Sequence, residues 1–216
     1  LKYLAPEIGQ LTGLHDLNLS GNQLSSLPTT IARLEQLQTL NLAGNALDVI
    51  PYAPSLQSLD LSFNRLSRLT ADIGNLSGLH TLDLSNNTIQ QLPPEIGHLK
   101  SLKTLNLWGN PLRTLPKEIG NLENLEVLVL DGSPLQSLPV EITHLKKLKK
   151  LHLDNTGIKK PDIKLLEKAM PWCQIFQHLH LFLYPGLSFL PLQHPLKQPE
   201  NPPVLVGPRT RLRSEE

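Results

Sequence analysis

Two sets of residues in this chain carry side chains suited to covalent or metal chemistry, and neither completes a site. Cys173 is the only cysteine, and with eight histidines elsewhere it invites comparison with a histidine-activated nucleophile. Its neighbours Trp172, Ile175 and Phe176 are apolar, the setting of a buried, inert thiol. His178 and His180 are two apart, so in a strand they share one face, as two ligands of a metal would. Two ligands without a third make a poor site. No Gly-rich phosphate loop, HExxH helix or paired CxxC occurs, so the chain reads as a non-enzyme that holds no cofactor and no metal.

Leucine at a fixed step is the dominant signal. Aligning on the first leucine of LHTLDLSNNTIQQLPPEIGHLKSL, Leu79 to Leu102, places the same unit at Leu14, Leu37, Leu56, Leu79, Leu102, Leu125 and Leu148. All the steps are 23 residues except one of 19, between Leu37 and Leu56. A period in this range predicts a solenoid. Within the unit, Leu82 and Leu84 are two apart and point inward from a short strand, with Thr81, Asp83 and Ser85 pointing out. Asn87 follows, and Asn22, Asn45, Asn64 and Asn110 repeat it; a carboxamide there can donate to and accept from backbone groups of neighbouring coils. Pro93, Pro94 and Gly97 then break regular structure, so the return path is an extended or single-turn helical segment. One such coil buries little, and stacking coils makes the core.

On these residues the chain resembles the leucine-rich-repeat family. The 23-residue step and the recurring LPxEIGxLxxL of Leu92–Leu102 and Leu115–Leu125 are similar to the intracellular class that includes Ras-associated scaffolds and many bacterial repeat proteins. The resemblance implies an α/β solenoid, a curved horseshoe with a parallel sheet on its concave face and short extended or helical turns on its convex face. Its expected limits are a repeat solenoid over residues 1–158, a helix-and-strand cap over 159–176 and a Pro-rich, disordered tail over 177–216. It also implies a protein partner bound by the concave face, with no chemistry of its own. Two functional readings stay open. One is a non-enzymatic scaffold; the other is the targeting module of a larger signalling enzyme such as a kinase, GTPase or ubiquitin ligase.

The outward strand positions carry the information about a partner, because the repeat does not dictate them. The fifth position of each unit reads Asn18, Asn41, Asp60, Asp83, Asn106, Val129, His152, and the seventh reads Ser20, Ala43, Ser62, Ser85, Trp108, Asp131, Asp154. Trp108 stands out beside Val127 and Val129, apolar residues expected to face solvent one coil on. An exposed Trp flanked by aliphatics has the composition of a binding hot spot, with Asp83, Asn106, Asp131 and His152 as its polar rim and Phe63 extending it. The competing reading folds Trp108 down onto its own sheet.

Departures from the repeat complete the expectation. The 19-residue unit, LDVIPYAPSL, lacks equivalents of Ile31 and Leu34, and Tyr52 is expected to fill the gap or to mark a local site. The Asn position becomes Ser133 and then Thr156, whose hydroxyls are expected to serve a nearby backbone group. Pro161, Ile163, Leu166 and Met170 predict a helix ended by Pro171. The segment QHLHLFLY, Gln177 to Tyr184, alternates like a strand able to add to the sheet edge, and the Pro-rich remainder reads as a linker or as chain never selected to fold. Lys146, Lys147, Lys149, Lys150, Lys159, Lys160, Lys164 and Lys168 make the later coils basic. Interleaved acids and the lack of aromatic stacking partners favour a solvated face over nucleic acid. Net charge is +1, and no apolar run reaches the roughly 18 residues of a membrane span. A lone cysteine cannot close a disulfide within the chain, and the paired-cysteine caps of secreted family members are absent, which points to an intracellular setting. Leu1, Leu4, Ile8 and Leu11 match Leu24, Leu27, Ile31 and Leu34, so the chain opens midway through a coil and an upstream part is expected.

Overall fold

In a computed structural model, residues 1–177 are described. His178 and His180, the rest of the alternating segment and the Pro-rich tail lie outside the described residues. Eight strands of three residues each form one parallel sheet in chain order: β1 Asp16–Asn18, β2 Thr39–Asn41, β3 Ser58–Asp60, β4 Thr81–Asp83, β5 Thr104–Asn106, β6 Val127–Val129, β7 Lys150–His152 and β8 Gln174–Phe176. Neighbours pair in strict register, Leu82 beside Leu105 and Leu105 beside Leu128. The expected seven strand starts are all present, and β8 adds a strand after the last of them. Register is strict because a slip by one residue would turn each central leucine out to solvent.

The return paths are 3-10 turns at Pro6–Gln10, Thr29–Arg33, Ala71–Asn75, Pro94–His98, Lys117–Asn121 and Val140–His144. Five of the six are preceded or opened by proline, whose fixed φ starts the turn; in the sixth, Thr70 takes the extended cap position. Five of the six turns bury an isoleucine, Ile31, Ile73, Ile96, Ile119 and Ile142 being at most 2% exposed, whereas Ile8 of the first is half-buried. These meet the strand leucines in a single continuous core, and each fully buried leucine contributes about 1.5–3 kcal/mol relative to an exposed one. Leu14 and Leu17 depart from the expected complete burial. They are only half-buried, because β1 is the first strand of the sheet and packs on one side only.

The asparagines tie the coils together as a ladder. Asn87 Nδ2 donates to Leu84 O in its own coil and to Leu61 O in the coil before, at 3.0 and 2.9 Å, and its Oδ1 accepts the N–H of Leu66 at 3.0 Å. Asn45, Asn64 and Asn110 repeat the pattern. Thr156 keeps one such bond, to Leu153 O at 2.9 Å. Ser133 keeps none through its side chain: its Oγ is fully buried without a hydrogen-bond partner among the described residues, contrary to expectation. Its side chain is too short to reach the neighbouring coil as the amides do.

The short coil is also resolved differently from the expectation for Tyr52, which is 53% exposed and fills nothing. Ala53, 1% exposed, takes the place of Leu34, three residues before the next first leucine, and its carbonyl receives Leu56 N–H just as Leu34 O receives Leu37 N–H. A methyl group in that place lets the arc close without a helical turn. Ser55 Oγ then donates to Leu34 O and Leu37 O of the coil before. At the far end the expected helix forms as α1, Lys160–Ala169, with Ile163 and Met170 buried. Trp172 follows it, its Nε1 donating to Leu145 O at 3.2 Å while Lys146 Nζ lies 4.1 Å from the centre of a Trp172 ring.

Candidate functional site

The outward face of the sheet holds a second ladder. In a parallel sheet of such short strands the sixth and eighth N–H groups of a unit pair with the next coil: Leu42 N with Asp60 O, and Gly44 N with Ser62 O. The seventh N–H points the other way and needs an acceptor. The fifth side chain supplies it. Asn18 accepts from Ser20 N at 3.0 Å, Asn41 from Ala43 N at 3.0 Å, Asp60 from Ser62 N at 2.9 Å, Asp83 from Ser85 N at 2.8 Å and Asn106 from Trp108 N at 3.1 Å. Asp83 is buried, takes a further bond from Ser85 Oγ at 2.6 Å and accepts from Asn106 Nδ2 at 2.9 Å. Burial raises its carboxyl above the usual range although the Ser85 bonds oppose the shift. Asp83 and Asn106 therefore serve the strand ends, which is a role the period alone does not announce.

The ladder breaks at Val129, whose side chain accepts nothing. There Asp131 turns to the coil ahead, and its Oδ1 receives Asp154 N–H at 2.7 Å. His152, in the fifth position of β7, is buried and lies flat on Phe176 of β8, ring centres 4.3 Å apart and planes 3° from parallel. Burial pulls its pKa down to about 4, so the ring is neutral at pH 7. Phe176 was absent from the residues singled out on this face; aligning Gln174–Phe176 with Lys150–His152 would have revealed it.

Trp108 is 43% exposed and stays on the outward face; its Nε1 lies near the turn at Gly132 of the next coil. One edge of the indole thus lies against the next coil and the rest is open. Val127 is half-buried. Val129 was expected to face solvent and does not: it is 2% exposed. Side chains of adjacent parallel strands stand side by side, and Asn106 and His152 flank Val129 closely. Asp131 and His152 are likewise too buried for an open rim, at 4% and 6% exposure. Trp108, Val127, Val129, Asn106, Asp131 and His152 are neighbours in register, while Asp83 belongs one strand earlier.

Comparison with known proteins gives the same architecture. A leucine-rich repeat region family matches residues 95–169, and a leucine rich repeat family matches residues 3–47 and 54–112. The chain belongs to the leucine-rich-repeat family. A leucine-rich-repeat protein of Leptospira interrogans is 37% identical, covering 81% of this chain and 52% of its own at a TM-score of 0.64. An internalin and internalin C2, both of Listeria monocytogenes, are each 24% identical at a TM-score of 0.68 and share the fold. The alignments cover 83% and 78% of this chain, and 52% and 74% of theirs. The chain thus spans about half the length of the first two. No curated protein matches it.

Within this leucine-rich-repeat sheet, Phe63 sits where the other coils place Gly21, Gly44, Asn86, Gly109, Gly132 and Asn155, all in the left-handed region. Its own φ is 54°, a strained conformation for a bulky residue, and its ring is 51% exposed. It belongs to the turn, two strands before Trp108. Cys173 is half-buried, and burial raises its pKa to about 11, so the thiol stays protonated at neutral pH. The segments leading into β5, β6 and β7 carry Lys100, Lys103, Lys146, Lys147, Lys149 and Lys150 against Glu123 and Glu126. Lys100 pairs with Glu123 and Lys149 with Glu126, whose carboxyl that lysine holds below its usual value. Lys103 and Lys150 are exposed. Among the described residues no helix is long and apolar enough to cross a membrane.

Proposed function

We propose that this leucine-rich-repeat chain is a non-enzymatic scaffold that holds a protein partner on the concave face, centred on Trp108 and Val127 with Val129 as the floor between them. The observation that carries this reading is the half-exposed indole of Trp108 at the point where the polar ladder of the sheet stops. Earlier coils fill their seventh position with Ser20, Ala43, Ser62 and Ser85, and nothing in the repeat asks for an indole there. The sheet is already ordered by folding, so docking on it costs little conformational entropy. Asn106 keeps a polar edge to the patch, whereas Asp131, committed to Asp154 N–H, supports the floor. An intracellular setting belongs to the proposal, since Cys173 has no second cysteine to pair with. The targeting module of a larger signalling enzyme would use the same surface.

The test is a pull-down followed by titration of the best partner. Trp108→Ala should weaken binding by at least about 2 kcal/mol, roughly thirtyfold, with the fold unchanged by circular dichroism. Lys159→Ala, near the start of α1, should change it little. Equal affinity for the wild type and Trp108→Ala sinks the concave-face reading.

A further inference from the structure

The geometry points to an extended, acidic segment of the partner as the occupant of this face: a large apolar side chain set on Trp108 and an Asp or Glu side chain, four or five residues away, set on Lys150. This rests on the concave-face reading above and adds the chemistry of what binds there.

Trp108, Val129 and Lys150 fall on one straight diagonal. Val129 pairs with Asn106, two residues before Trp108, and Lys150 pairs with Val127, two residues before Val129. Each step therefore crosses one strand and moves two residues toward the strand starts. With strands about 4.8 Å apart and a rise of about 3.3 Å per residue, a step is about 8 Å and the whole diagonal about 16 Å, the length of about five extended residues. The middle of that line is the buried Val129, an apolar floor where the polar ladder of the other coils is interrupted.

Charge sets the direction. At the strand starts stand Lys103, Lys149 and Lys150, with Glu126 already engaged by Lys149. In the earlier coils the residues equivalent to Lys103 and Lys149 are His15, Gln38, Gln57 and His80. The basic border thus begins at the coil that carries Trp108 and runs into the coils after it. A carboxylate on the bound segment is attracted at the strand starts, so one orientation is favoured. Lys150 is the cation on the outward face itself, exposed and paired in register with Val127.

The experiment is a selection of short random peptides on the full chain, followed by titration of the best labelled peptide. Enriched peptides should combine a large apolar residue with an acidic one about four or five positions away. Lys150→Glu should weaken the best peptide by at least about tenfold, and a peptide with lysine in place of its acid should recover most of that loss on Lys150→Glu. Lys150→Gln, with no new charge, should fall between. Failure to enrich any peptide, enrichment of peptides lacking an acidic residue, or unchanged affinity for Lys150→Glu overturns the proposal. Loss with Trp108→Ala but not with Lys150→Glu overturns the acidic segment and leaves the concave-face reading standing. Loss with neither variant overturns both.

Discussion

A Cβ on Gly97 would lie 2.6 Å from the carbonyl oxygen of Glu118, one coil on, so the two 3-10 turns pack backbone against backbone. Gly9 meets Thr30, and Gly120 meets Glu141, in the same way. The equivalent residues Ala32 and Thr143 carry a side chain, and theirs are the two coils followed by no 3-10 turn: the short coil after Ala32, and α1 after Thr143. The glycine therefore answers to the next coil. Gly97→Ala should cost about 1–3 kcal/mol by overpacking, whereas Ala32→Ser should stay within about 0.5 kcal/mol. Urea denaturation of both variants checks this, and equal midpoints would show that the turns can move apart.

The asparagine ladder makes a contrast between two positions in adjacent coils. Asn110 Nδ2 donates to Leu84 O and Leu107 O, and Oδ1 accepts from Ile89 N, all in the buried interior. Asn110→Ala leaves those groups bare and should cost at least about 3 kcal/mol, since each unsatisfied buried group costs about 1–3 kcal/mol. Ser133→Ala removes a hydroxyl with no partner among the described residues and should change stability by less than about 0.5 kcal/mol. Equilibrium denaturation of the pair reads the difference directly.

Leu105 is fully buried between Leu82 and Leu128 of the neighbouring strands. Leu105→Ala should cost about 2–5 kcal/mol, because coils on both sides hold the cavity open. A measured loss below about 1 kcal/mol would mean that the coils collapse around the gap.

His152 sets a dependence on pH. Its folded pKa is about 4 against an ordinary 6.5, so between those values the unfolded chain binds a proton that the folded chain refuses. Its contribution to stability is full above pH 6.5 and is lost as pH falls toward 4, by at most about 3 kcal/mol. Asp83 acts in the opposite sense, because burial raises its pKa and acid relieves that cost. The difference between the wild type and His152→Gln isolates the histidine. Stability of the variant, followed by thermal melting, should fall less over this range, and parallel curves would show that His152 titrates normally.

Periodicity by itself determined which way each residue faces. Leu82 and Leu84 point inward because a strand alternates, and Asn87 bridges coils because a carboxamide at a fixed place in every turn meets the same carbonyls in every turn. Both follow from local geometry repeated at a constant step, so one unit read correctly gives all the full-length ones. The strand register and the single core were legible for that reason, and the helix at Pro161 from the helical spacing of Ile163, Leu166 and Met170.

Only the tertiary structure decided how far a neighbouring coil covers a given side chain. Val129 faces outward as its place in the strand requires, yet Asn106 and His152 bury it. Asp83 has the composition of a binding rim and instead accepts Ser85 N–H, because the seventh N–H of a short parallel strand finds no acceptor in the adjacent coil. Ala53, not Tyr52, closes the short coil, since a missing helical turn leaves room for a methyl group rather than a ring. Coverage and hydrogen bonding between residues 23 apart depend on the spacing and tilt of whole coils, which the order of residue types within one coil does not contain.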